Sequence, residues 1–149
     1  MSEPFPTITL LNAVATTATQ TSEAIDIRGL GNGNGDGLWA MIATSGFVAG
    51  TDFVGNIAIL GGLTSTIADM RELPIVAADL IPVTLPTGLA VDSGPDGIDV
   101  ANTLGNAGDI TPVYIPFGAN RPPFIAAKIT RTSGGSSTAY FTIKVGSAG

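Results

Sequence analysis

Two clusters in this 149-residue chain place side chains at spacings that could do chemistry. The first is Gly31 to Gly37, GNGNGDG. Asn32, Asn34 and Asp36 stand at alternate positions with Gly37 next, which imitates the opening of a calcium loop. That pattern closes on a bidentate Glu, but the corresponding stretch here is LWAMIA, without a carboxylate. The seven residues carry one acid, a weak attraction for a hard divalent cation. They read more simply as a turn built from residues that tolerate positive φ. The lysine and Ser/Thr of a phosphate-binding loop are also missing. Asn32, Asn34 and Asp36 thus form a weak metal candidate, and no cofactor is expected. The second cluster is Asp92, Asp96 and Asp99, around SGPDG. Carboxylates so close can hold a metal or divide acid and base roles. Nothing places an oppositely tuned carboxylate beside them. Asp and Gly are also ordinary turn residues, so an acidic surface loop is the simpler reading.

The rest of the composition narrows the chemistry further. The chain has no cysteine and no histidine. Disulfides, thiolate metal sites, Ser-His-Asp and Cys-His nucleophiles and His-zinc centres are therefore impossible within it. Only carboxylate chemistry is left, and the chain is not expected to be an enzyme.

Charged residues make up 12% of the chain, against about 25% in ordinary globular domains. Mean hydropathy is +0.41. No apolar run approaches the ~20 residues of a membrane helix. The start, MSEPFPTITLL, carries a Glu and two prolines and does not read as a signal peptide. No membrane is expected, so the apolar excess points to burial against other protein, in a homo-oligomer or larger assembly.

Net charge is −6, unevenly spread. All 12 acids lie at or before Asp109, with only Arg28 and Arg71 among them. Arg121, Lys128, Arg131 and Lys144 follow with no acid. Four bases without interleaved aromatics make a poor nucleic-acid footprint. Docking between unlike protein surfaces fits the asymmetry better.

These residues must be positioned by strands. Phe124 to Val145 reads FIAAKIT, RTSGGSS, TAYFTIKV. Ile125, Ala127 and Ile129 alternate with Lys128 and Thr130; Phe141, Ile143 and Val145 alternate with Thr142 and Lys144. Two alternating runs around a Ser/Gly turn predict a C-terminal β-hairpin. Its outer face, with Lys128, Arg131 and Lys144, is expected to meet an acidic neighbour. Further strands are expected at Ile8–Val14, Glu23–Leu30, Leu38–Thr44 and Asn56–Leu60. Leu38–Thr44 is apolar on both faces, which predicts a central strand covered on both sides. Residues 1–7 read as an extended arm held by Pro4 and Pro6 around Phe5. Residues 61–109 read as an irregular acidic excursion, with a short helix or turn in TSTIADMREL. One domain, 1–149, is expected.

Two stretches, IDIRGLGNGNGDGLWAMIATSG (25–46) and FIAAKITRTSGGSSTAYFTIKVG (124–146), resemble tailed-bacteriophage virion proteins, most closely head decoration (cement) proteins. The resemblance implies an antiparallel, jelly-roll-like β-sandwich that binds the major capsid protein on the outer capsid surface, often as a trimer, with an N-terminal arm. The expected subunit contacts are Phe5, Trp39, Phe117 and Arg121. The alternative is a carbohydrate- or receptor-binding sandwich of a phage tail or fibre, which needs an exposed aromatic platform or a working calcium site.

Overall fold

The computed structural model describes residues 7–15, 18–28, 38–45, 53–81, 84–85, 88–91, 97–100, 112–117, 122–134 and 140–147. In chain order the strands are β1 (Thr7–Ala15), β2 (Gln20–Thr21), β3 (Ile25–Asp26), β4 (Leu38–Ser45), β5 (Phe53–Gly62), β6 (Arg71–Glu72), β7 (Leu89–Val91), β8 (Ile98–Val100), β9 (Val113–Pro116), β10 (Phe124–Gly134) and β11 (Tyr140–Ser147). They form two antiparallel sheets, and the described residues contain no α-helix. The first sheet runs β1-β11-β4-β9; the second runs β2-β10-β5-β8-β7, with β3 also on β10 and β6 also on β5. The fold is all-β, an antiparallel sandwich.

The period-two pattern explains the layers. Ile125, Ala127 and Ile129 on β10 and Phe141, Ile143 and Val145 on β11 are all 1% exposed or less. Leu38, Ala40 and Ile42 of β4, with Ile57 and Ile59 of β5, join them in one core. Both sheets turn these residues inward, and the two inner faces meet about 10 Å apart; Ala58, Leu60 and Ala126, on the other face of the second sheet, are buried as well. Thr44 continues the inward row of β4, 7% exposed, and its hydroxyl has no hydrogen-bond partner among the described residues.

The pairing is nested: β1 with β11, β2 and β3 with β10, β4 with β9, and β5 with β8. This corrects the expected hairpin. β10 and β11 occupy the predicted residues but lie in different sheets. Alternation reports that each strand has one dry face, not which strand lies beside it. The run between Gly134 and Tyr140 can span ~20 Å when extended, enough to cross the core instead of folding back.

Three other expectations resolve in detail. The short helix or turn expected in TSTIADMREL takes the form of a single 3-10 turn, Ile67–Asp69, with β6 starting two residues later. Thr66 makes no side-chain cap bond there, so nothing prolongs the turn. The excursion expected at 61–109 contributes β6, β7 and β8 to the second sheet. β4 is central, as expected, but only its inner face is fully buried.

Local irregularities are specific. Between Thr21 and Ile25 the β2–β3 edge carries one residue more than β10 opposite it, a bulge. Ser22, 7% exposed, fills it: its backbone N–H donates to the Ala127 carbonyl (2.8 Å), and its Oγ accepts the Ala127 N–H (2.9 Å) and donates to the Glu23 carbonyl (2.9 Å). Register slips in β1 around Leu11 let the consecutive Leu10 and Leu11 both be buried. Gly97, at φ +87°, enters β8 so close to β5 that an added Cβ would meet the Ile57 carbonyl oxygen and, at 3.0 Å, Ala58 Cα.

Candidate functional site

The outer face of the first sheet is the surface on which the sequence and the fold converge. Because Leu38, Ala40 and Ile42 point inward, Trp39, Met41 and Ala43 point out, all half-buried. β9 behaves the same way: Val113 and Ile115 enter the core, leaving Tyr114 and Pro116 outside. Register then assembles the face. Gly146, Trp39 and Pro116 form one cross-strand row. Thr9, Lys144, Met41 and Tyr114 form the next. Ile81 extends that row, its backbone exchanging two hydrogen bonds with Tyr114 (3.1 and 2.8 Å). Tyr114 is 38% exposed, Ile81 53% and nearby Val76 57%. Among the described large hydrophobics only Leu63 is comparably open, and it lies elsewhere.

Charge marks the two sides of this face. Half-buried Lys144 stands on the β11 side. On the β9 side, exposed Asp79 lines a cleft of about 180 Å³ with Val76 and Pro116, two residues from Ile81. Neither Lys144 nor Asp79 forms an ion pair among the described residues.

The outer face of the second sheet is more polar. Asp26 lies opposite Phe124, and Arg28 grips its carboxylate: Nη2 to Oδ2 at 2.7 Å, Nε to Oδ1 at 3.0 Å, and the Arg28 backbone N–H to Oδ1 at 2.9 Å. The guanidinium also sits 5.3 Å from the Phe124 ring centre, within cation–π range. The hydrogen bonds from the Arg28 side chain and backbone hold the Asp26 carboxyl at about 2, below its usual 3.8, and raise the guanidinium's own value. Farther along, Asn56 lies opposite Asp99 and donates to it (3.0 Å). Asp99 borders a shallow cleft of about 540 Å³ with Ala90, Val100 and Thr132, and is the one ionisable group among its lining residues.

The expected site residues separate. Trp39 and Lys144 share the outer face of the first sheet. Phe117 adjoins it at the end of β9, but its ring packs against the core and its N–H donates to the Leu38 carbonyl (2.9 Å). Lys128 stands on the outer face of the second sheet, opposite Thr21 and Ala58. Exposed Arg131, near the end of β10, turns its guanidinium to the Gly134 carbonyl. The single basic outer face expected for Lys128, Arg131 and Lys144 therefore does not form, because β10 and β11 belong to opposite layers. Phe5, Arg121, Asn32, Asn34, Asp36, Asp92 and Asp96 lie outside the described residues. Among the described residues no three acidic groups gather as a metal site, and no helix is long and apolar enough to cross a membrane.

Sequence reasoning missed Met41, Tyr114, Pro116 and Ile81 as one surface. Alternation in VYIP carried a signal for Tyr114 and Pro116, since Val113 and Ile115 are plainly core residues. Nothing local announced the bridge from Ile81 to Tyr114. No family model, curated protein or solved structure matches the chain.

Proposed function

We propose that this chain is a structural docking protein, a virion protein that decorates and stabilises the outer surface of a tailed-phage capsid as an oligomer. The observation that carries this reading is the outer face of the first sheet, where Trp39, Met41, Tyr114, Pro116 and Ile81 stay partly open to solvent in adjacent register. Contiguous apolar surface of this kind marks interaction sites. Low charge content supports it, and the nested pairing of the two-sheet sandwich is compatible with a jelly roll, an architecture used by capsid proteins. In this role the chain binds the major capsid protein only in the assembled shell and stabilises that shell by mass action. Co-sedimentation with expanded capsids lacking this chain tests the reading. Binding that raises the shell's melting temperature supports it; capsids that neither bind the protein nor change stability overturn it.

One observation favours a second reading. Trp39 and Tyr114 are diagonal neighbours on the same face, an aromatic pair on which a sugar ring can stack. The jelly roll also serves lectins. Saturable glycan binding lost on Trp39→Ala, without capsid binding, would place the chain in that class.

A further inference from the structure

We infer that the outer face of the first sheet is occupied by a second copy of this chain, paired about a two-fold axis between Met41 and Tyr114. The inference deepens the proposed oligomeric docking role and rests on that reading of the face. It starts from the row Thr9–Lys144–Met41–Tyr114–Ile81, which sets a base on one side of the apolar pair Met41 and Tyr114, with Asp79 near Ile81 on the other. A two-fold rotation lays this row antiparallel on itself. The apolar middle then meets its own image, and each Lys144 meets Asp79 of the partner subunit. The face is therefore complementary to itself in both charge and polarity, the condition for an isologous contact.

The sheet edges direct association to this face. Exposed edges pair with other chains unless blunted. β1 carries two register slips, and β9 is four residues long, bounded by Pro112 and Pro116 and already bridged by Ile81. In the second sheet, the β2–β3 edge is broken by the Ser22 bulge and β7 has three residues. Among the described residues no long, regular edge is left for strand addition.

Size sets the strength. Three strands of about eight residues and the four-residue β9, ~4.8 Å apart at ~3.3 Å per residue, give a face of roughly 440 Å². That lies below the ~800 Å² per partner of a standard stable interface, so pairing depends on concentration.

Sedimentation equilibrium from micromolar to millimolar protein provides the test. A reversible monomer–dimer equilibrium is expected. Lys144→Glu and Asp79→Lys should each weaken it at least about tenfold by setting like charges opposite one another. The double swap should restore it to within a few-fold. Emission from Trp39, the sole tryptophan, should shift to the blue as dimer forms, and circular dichroism should stay unchanged throughout. A strict monomer at every concentration, a trimer, single swaps without effect, or a double swap without rescue overturns the pairing. The outcomes separate from those of the capsid experiment: a monomer that still binds capsids defeats only the two-fold pairing, and a dimer indifferent to capsids defeats only the decoration role.

Discussion

Lys128 and Lys144 stand on opposite outer faces of the sandwich. Lys128 lies between Thr21 and Ala58 in the second sheet, and Lys144 between Thr9 and Met41 in the first. Their effects should be independent. Lys144→Glu is expected to weaken self-association about tenfold or more, while Lys128→Glu leaves it unchanged within about twofold, because separated charges are screened beyond ~8–10 Å. Equal losses from both, measured by sedimentation, would mean that association does not use the first sheet's face.

The Asp26–Arg28 pair predicts a pH effect of defined sign. The folded-state value of Asp26 is depressed, from 3.8 to about 2. Its contribution is therefore present above pH about 4 and lost as pH falls toward 2. Both side chains are exposed, so the effect on global stability is small. The sharper measurement is the carboxyl titration by NMR. Replacing Arg28 by Gln should return Asp26 toward 3.8; no change would show that another group sets it.

Thr44 has a buried hydroxyl without a partner among the described residues. Thr44→Val keeps the shape and removes that oxygen, so it should stabilise by about 1 kcal/mol in urea unfolding. A loss of stability of the same size would reveal a partner for the hydroxyl.

Ser22→Ala should act in the opposite direction. It strips the buried Ala127 N–H of its acceptor and should cost about 1–3 kcal/mol. Hydrogen exchange at the Ala127 amide should accelerate as well; exchange at the wild-type rate would contradict the assigned bond.

Gly97→Ala should destabilise by more than about 1 kcal/mol, because a left-handed φ and backbone atoms of Ile57 and Ala58 oppose the new methyl. Gly62→Ala is the comparison. Its nearest obstacle is Met70 Cγ at 3.0 Å, a side chain that can move. A thermal melt ranking Gly62 as the costlier site would refute this account of β8 against β5.

What was legible in the sequence followed from short-range physics. Ile125, Ala127, Ile129, Phe141, Ile143 and Val145 were readable as core residues because alternation fixes the face of a strand. The partner of each strand was not readable, since that depends on how distant segments close over the core. The same limit hid the outer face. Trp39 stood out alone, but Tyr114 and Ile81 become its neighbours only through pairing between segments far apart in the chain. Lys128 and Lys144 looked like one patch for the converse reason: nearness along the chain says nothing of which layer each strand joins.

The placement of β11 has a consequence for synthesis. It follows the other ten described strands along the chain, yet it lies between β1 and β4 in the middle of its sheet. Until it emerges, β1 and β4 cannot be joined into one sheet, and the apolar Leu10, Leu11, Leu38 and Ile42 have no completed layer to enter. The nascent chain must hold an open sheet until β11, the strand that closes it, has left the ribosome. Such long-range closure is slow and prone to aggregation. A ribosome stalled before Tyr140 would present a half-built sandwich, and chaperone capture should peak at that length.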